Sequence, residues 1–399
     1  MNKQIKLAVA SALLAAASSA NAGIMIPAGD WTLDIGGIVN AYYTTTKSSG
    51  DAVGLGGALE NGYDRENNIT TGLLPNYLSV SGKTRQNDLD VGFTISINPG
   101  ASTTQAGEQN TPNNQENRQA FLTFGDKSWG SIKIGKDLGI FASDAILNDM
   151  TLLGVGSGAG LLAGNTTTLG RIGTGFIYAD WKSQIAYSSP NWNGFSFTAG
   201  LTQAFDAIGA TAVDAAATGR EGSMPAFEAK ASYEWAGDVG GKVWVSALTQ
   251  KLELAAGGSE RAKAYDLGAT VNLAGFGLTG YVYDGKAIGT TVQFAGALDA
   301  SGNRRDSKGG YVQGTYTLPG VGTKLGLSWG KSILESNSAA SEGALGLTDD
   351  VENTMWTVGA YHPLTKHLNL VAEYSDVKSE VNDLDGKSKT ISLGAILFF

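Results

Sequence analysis

The sequence has 399 residues, of which 16% are charged and 42% are hydrophobic, with 56 Gly and only 8 Pro. It is poor in the charged residues of typical helical proteins and rich in strand and turn formers, so the composition favours an all-β chain. The formal net charge of −9 argues against nucleic acid as a partner, and the absence of Cys means that backbone pairing and packing, not disulfides, must stabilise the fold.

The first 22 residues have the pattern of a cleaved secretory signal peptide. Lys3 and Lys6 precede the apolar run LAVASALLAAASSA, which closes on the small residues Ala20-Asn21-Ala22 before Gly23. A buried N-terminal helix is the competing interpretation. No later apolar run reaches the roughly 18 residues of a spanning helix. We therefore expect one exported domain over residues 23–399, which would meet a membrane only through strands.

Alternation of apolar and polar residues is the main signal in the rest of the chain. In LDVGFTISI (89–97) and YDLGATVNL (265–273), apolar residues occupy every second position. The same period predicts sixteen strands, at about 31–47, 76–85, 88–98, 117–125, 130–137, 182–189, 195–203, 226–235, 241–251, 263–274, 276–286, 308–318, 323–333, 352–363, 368–378 and 389–399.

The connections between these strands alternate between short and long. Turns such as RQND and PNWNG separate longer polar stretches at 48–75, 99–116, 138–181, 204–225, 287–307 and 334–351. Short turns on one side and long loops on the other are typical of outer-membrane barrels. A soluble sandwich or propeller is the alternative, but sixteen such strands would demand an oversized core, and no blade-length repeat is visible.

We therefore predict a transmembrane, sixteen-stranded antiparallel β-barrel in which the last strand pairs with the first. In lipid every backbone N–H and C=O must be paired, so the sheet must close without edges. Closure would bury the apolar C-terminal segment ISLGAILFF, with Phe399 in an aromatic girdle.

The longest connection, 138–181, is the candidate for narrowing the lumen. Sixteen strands enclose more space than side chains can fill. Loops of this length without regular structure are usually functional, and its Gly-rich middle permits tight folding. Asp144, Asp149 and Arg171 are the polar groups that it would present inside.

The segment FGDKSWGSIKIGKDLGIFASDAILNDM (124–150), together with GRIG at 170–173 and the terminal Phe399, resembles the general trimeric porins of Gram-negative bacteria. The resemblance implies a homotrimeric barrel in the cell outer membrane that lets ions and small hydrophilic solutes diffuse passively. It also implies that the third long loop constricts the lumen and that Phe399 is read by the barrel-assembly machinery. No cofactor is implied, and outer-membrane lipid and lipopolysaccharide are the expected surroundings.

In this family, acidic residues on the loop face arginines on the wall, and the resulting field biases ions. Asp149 matches a family acid and Arg118 matches a family arginine, but the second acid is missing, and Tyr77 and Ala179 stand where other arginines are expected. We therefore expect only weak charge selectivity.

Three further cations face inward by alternation. Lys133 joins the constriction, whereas Lys83 and Arg85 lie near a short turn, which places them at the exit of the lumen. For any charge in a water-filled barrel, simple solvation is the alternative to a role in selectivity.

Other functions are less well supported by the sequence. A hydrolase needs a nucleophile with a base, or a metal; the chain has no Cys, and His362 and His367 fall on opposite faces of a strand, so we predict no enzyme and no metal site. A substrate-specific channel would need an inward aromatic ladder, for which Tyr281, Tyr283 and Tyr311 are too few. A receptor or adhesin built on the outer loops remains compatible with the pore.

Overall fold

The computed structural model describes residues 23–51, 65–102, 115–161, 167–206, 224–254, 257–299, 301–337 and 349–399. The predicted signal peptide, 1–22, lies outside these residues, as do parts of the long connections. Among the described helices, none has the length and apolar character needed to cross a membrane.

Sixteen antiparallel strands form one sheet, and each pairs with the next along the chain. Strands 2 and 4 are each built from two pieces. In chain order, the barrel strands are Trp31–Gly50, Arg65–Thr70 with Tyr77–Gln86, Leu89–Pro99, Gln115–Glu116 with Ala120–Asp126, Gly130–Leu138, Trp181–Ser188, Phe195–Thr202, Ala226–Trp235, Val239–Glu253, Ser259–Leu273, Phe276–Lys286, Asp306–Thr317, Lys324–Leu334, Val351–Pro363, Leu368–Val381 and Leu384–Phe398.

The sheet closes on itself, as predicted. Strand 16 pairs with strand 1 from Phe398 opposite Ile38 to Gly386 opposite Gly50. Phe399 continues this pairing, because its N–H donates to the Gly37 carbonyl (3.0 Å) while Gly37 N–H donates to Phe399 O (2.7 Å). The short strand Ile24–Ala28 pairs with Trp31–Ile35 beyond the end of strand 16.

The barrel is apolar outside and polar inside, which is the pattern expected for lipid surroundings. On strand 10, Tyr265 and Leu267 are 59% and 53% exposed, whereas Asp266 between them is 1% exposed. Aromatic pairs lie beside the short turns; Phe276 and Tyr316, for example, have ring centroids 4.3 Å apart. The alternation in the sequence is therefore the alternation between the two faces of the wall.

Strand 2 departs from the prediction. Its outer half, Arg65–Thr70, falls within the stretch 48–75, which is predicted as a loop. The segment 71–76 then leaves the sheet, and Leu73 N–H donates to the Gly154 carbonyl (2.8 Å) of the connection after strand 5. Alternation does not predict this half-strand, because the Ile is the only apolar residue in its sequence RENNIT.

The connection between strands 5 and 6 contains most of the non-barrel structure. It includes a short helix, Ser143–Asn148, a 3₁₀ turn, Met150–Leu153, and a small hairpin, Ser157–Leu161 with Thr168–Gly170. Many of its apolar residues form a buried cluster with inward-facing residues of the wall and with the connection between strands 11 and 12, and Met150, Leu153 and Val155 belong to a second cluster. The first cluster includes Phe141, Ile172, Trp244, Tyr311 and Phe294.

Candidate pore site

The start of the connection after strand 5 is fixed by Glu228 on strand 8. One Glu228 oxygen accepts hydrogen bonds from the backbone N–H groups of Ile140 and Phe141, both at 2.8 Å. The other accepts from Lys182 Nζ at 2.5 Å, and both side chains of this ion pair are fully buried. The Glu228 carboxylate also accepts a hydrogen bond from the Thr202 hydroxyl at 3.0 Å, so its buried charge is well compensated.

Asp144 on the short helix forms ion pairs with two lysines of the wall. Its carboxylate lies 2.6 Å from Lys242 Nζ on strand 9 and 3.1 Å from Lys230 Nζ on strand 8. Burial alone would raise the pKa of Asp144, but the two ammonium groups outweigh it and hold the pKa below its usual value. Asp144 thus stays ionised next to two partly exposed cations.

Further along, the connection is bonded to strands 12, 15 and 1. Gln313 Oε1 accepts from Met150 N–H (2.8 Å), and Glu373 Oε2 accepts from Val155 N–H (2.8 Å). The Tyr42 hydroxyl donates to the Leu153 carbonyl (2.6 Å). A segment that leaves the wall at strand 5 is therefore held by side chains of strands far around the ring.

Asp149 and Arg171 are brought together inside the connection. Arg171 Nε lies 3.7 Å from Asp149 Oδ1, and both side chains are fully buried. Arg171 also donates to the Met355 carbonyl at 3.1 Å and to Ser328 Oγ. Burial raises the pKa of Asp149 despite the attraction of Arg171. Among the described ion pairs, neither residue is joined to Arg118.

Arg118 lies between the two pieces of strand 4, and Lys133 lies on the neighbouring strand 5. Arg118 Nε pairs with Glu116 at 2.8 Å, and its guanidinium lies 5.7 Å from the Trp181 ring centroid. Lys133 donates a hydrogen bond to Asp137, and its Nζ is 4.8 Å from the Phe121 ring centroid. The inward direction predicted for Lys133 agrees with the 39% exposure of its outward neighbour Ile134.

The predicted exit residues lie beside a short turn. Arg85 bonds to Asp90 at 2.8 Å and to Asp126 at 2.9 Å, and its side chain is 48% exposed. Lys83 is exposed and stands opposite Thr32 in the pairing of strands 1 and 2.

A second connection, 287–305, also contributes to the site, although no motif in its sequence predicts this. Gln293 Oε1 accepts from the buried Lys182 at 2.6 Å, and its Nε2 donates to the carbonyls of Tyr178 and Ala179, both at 3.2 Å. Tyr178 N–H donates to the Thr291 carbonyl at 2.8 Å. The two connections are thus hydrogen-bonded directly to each other, and Gln293 also links them to Lys182 on strand 6, the partner of Glu228.

The three tyrosines considered for an aromatic ladder do face inward. Tyr281 and Tyr311 stack with centroids 5.5 Å apart, and each of the three is 3% exposed. The Tyr311 hydroxyl donates to the Ala145 carbonyl at 2.8 Å. They are covered by the connection after strand 5, so their contacts are those of a packed core and not of a solute track.

A cavity of about 930 Å³ lies between this connection and the wall and extends to the end of the barrel that carries the short turns. Arg118, Lys133 and Trp181 line one side, and Leu152 and Leu153 line another. Within the described ranges, no group of three or more His, Asp or Glu side chains is placed to hold a metal ion.

A model of the Gram-negative porin family matches residues 8–382 of the chain. Among solved structures, the outer membrane channel DcaP of Acinetobacter baumannii is similar with a TM-score of 0.69 and 16% identity, covering 95% of this chain and 100% of that one. An anion-selective porin from Comamonas acidovorans gives a TM-score of 0.61 and 15% identity, with 92% and 100% covered.

OmpF of Salmonella typhi, in complex with daunomycin, gives a TM-score of 0.57 and 16% identity, with 93% of this chain and 100% of that chain covered. At these identities the likeness is one of fold. A comparison with curated protein sequences found no match.

Proposed function

Since the chain belongs to the Gram-negative porin family and is an outer-membrane β-barrel channel, we propose that it passes ions and small hydrophilic solutes by passive diffusion through a water-filled lumen. The observation that carries this proposal is the path of the connection 138–181. It leaves the wall at strand 5 and is bonded to strands 8, 9, 12, 15 and 1. From these partners we infer that the segment lies across the interior and narrows it.

Weak charge selectivity is supported by how the predicted lumen charges are paired. Asp144 meets Lys230 and Lys242, Asp149 meets Arg171, and Arg118 meets Glu116. Opposite charges at such distances cancel most of the field that either would produce alone. Asp144 and its two lysines are the best candidates for the selectivity that remains, since both lysines are partly exposed.

The remaining parts of the proposal come from the family. They are cleavage of residues 1–22, assembly as a homotrimer, contact with lipopolysaccharide, and reading of Phe399 by the assembly machinery. The exposed apolar outer face, with Val39 at 55% and Leu393 at 53%, supports contact with lipid or with a neighbouring subunit.

A planar lipid bilayer tests the proposed function. The purified protein should produce large current steps in groups of three, with a small reversal potential under a salt gradient. Absence of steps from a correctly folded barrel would contradict it. Current blocked by one particular hydrophilic solute would instead favour a substrate-specific channel, and a receptor or adhesin role would add to the pore without changing these currents.

A further inference from the structure

The cavity next to the connection after strand 5 has two sides of different chemistry. On the wall side, Arg118 lies against Trp181 and Lys133 lies against Phe121, and all four residues line the cavity. Each cation is thus held over an aromatic ring, so the wall presents positive charge and ring surface side by side.

The other side is aliphatic. Ile146, Leu147, Leu152 and Leu153 of the connection line the same cavity. Ligand sites typically combine a mostly apolar lining with a few well-placed polar groups, in volumes of roughly 300–1,000 Å³. The cavity of about 930 Å³ falls within that range. A pore for purely hydrophilic solutes would not need this apolar side.

The charges that line the cavity are mainly positive, in contrast to the chain as a whole. Four Lys or Arg side chains and two Asp side chains line it, whereas the whole sequence has 28 basic and 37 acidic residues. Glu116 and Asp144, the partners of the lining residues Arg118 and Lys230, are not among the lining residues. Asp137, the partner of Lys133, does line the cavity. The lining as a whole nevertheless carries two more cations than carboxylates, four against two.

We propose that this cavity is a binding site for amphipathic organic anions, with an aromatic or aliphatic body and one carboxylate. The carboxylate lies between Arg118 and Lys133, and the apolar body packs between Trp181 and the leucines of the connection. This inference rests on the proposed channel function. It names one class of solute for the channel and adds a binding step to its diffusion.

The probe is 2-naphthoate, compared with its neutral amide, 2-naphthamide, and with acetate, which lacks the apolar body. In a bilayer with constant KCl, 2-naphthoate should interrupt the open-channel current at concentrations where the other two do not. Equilibrium dialysis of the folded protein in detergent should show the same order of binding. An equal effect of acid and amide would overturn the proposal.

Variants locate the site. Lys133→Gln and Arg118→Gln should each weaken the effect of 2-naphthoate about tenfold, the scale of one charge-assisted hydrogen bond. Trp181→Phe should weaken it less. Lys136→Gln is the control, because Lys136 is on the same strand, bonds to the Asn117 carbonyl (3.0 Å) and does not line the cavity. Unchanged affinity in both Lys133→Gln and Trp181→Phe would overturn the site even if Arg118→Gln fails to fold.

The two readouts separate this inference from the proposed function. Current steps in KCl without any interruption by 2-naphthoate, and without binding in dialysis, would overturn the site and leave the channel. Binding in dialysis without current steps would support the site and overturn the channel.

Discussion

The Asp144 carboxylate lies 2.6 Å from the Lys242 ammonium, joining the connection after strand 5 to the wall of the barrel at strand 9. Lys230, on the neighbouring strand 8, contacts the other oxygen of the same carboxylate. One acid on the connection therefore faces two cations on the wall. In a pore, such a group influences ions only to the extent that its charges do not cancel one another.

Replacing Asp144 with Asn should shift ion preference toward anions, because Lys230 and Lys242 would keep their charge without a carboxylate. Lys242→Gln should shift it toward cations, and by less, since Lys230 still faces Asp144. The reversal potential under a salt gradient measures both. Lys286→Gln, which removes an exposed pair with Asp306, is the control and should leave it unchanged. Shifts in the same direction would contradict this assignment.

The pH dependence of ion preference should have an acid limb that belongs to Asp144. Its pKa is depressed in the folded protein, so its charge and its ion pairs are fully present above the unfolded value of ~3.9 and are lost as pH falls through the lower folded pKa. Reversal potentials recorded from neutral pH downward should stay constant to about pH 4 and then move toward anions. The Asn variant should lack that movement.

Glu228→Gln should destabilise the barrel by about 3–5 kcal/mol, because it leaves the buried Lys182 without its counter-charge. Urea unfolding from lipid vesicles, followed by tryptophan fluorescence, measures the loss. The double variant Lys182→Met with Glu228→Gln should recover part of it, since Gln still offers an acceptor to Ile140 and Phe141. A double variant as unstable as the single one would show that the charge imbalance is not the cause.

Gln293→Ala should loosen the connection 287–305 from the connection after strand 5, since it removes the bonds to Lys182, Tyr178 and Ala179. We expect a larger mean conductance and noisier open-channel current in single-channel recordings. Gln86→Ala, at an exposed turn, is the matched control. Identical traces from both variants would mean that this contact does not hold the pore's shape.

Gly37→Ala should impair closure of the barrel. A Cβ at Gly37 would lie 2.3 Å from the Tyr77 carbonyl oxygen and 2.7 Å from the Phe399 ring. Overpacking of this kind costs about 1–3 kcal/mol. The fraction that migrates as compact barrel on unheated gels should fall. Gly280→Ala on strand 11 is the control, because its Cβ would meet nothing within 4 Å.

The sequence was sufficient to predict the barrel because its signal repeats in every strand. Alternation assigns each residue to one face, so the inward direction of Lys133 and of Tyr281 followed directly from their position in a strand. A half-strand with few apolar residues, such as Arg65–Thr70, shows no such alternation and could not be predicted in this way.

The partners of the lumen charges could not be predicted. Alternation indicates that Lys230 and Lys242 point inward, but not that a helix residue some ninety positions earlier in the chain reaches them. That contact depends on the path of a connection whose sequence has no period. The same holds for Gln293, a loop amide that accepts a hydrogen bond from Lys182, the buried partner of Glu228.

Closure of the barrel also imposes an order on its biogenesis. Thr46 on strand 1 and Thr390 on strand 16 are hydrogen-bonded at 2.8 Å although 344 residues separate them in sequence. Until strand 16 has arrived, both edges of the sheet carry unpaired backbone groups and invite pairing with other chains. Contacts between such distant segments also form slowly. We therefore expect strand 1 to need protection from pairing with other chains until strand 16 reaches it.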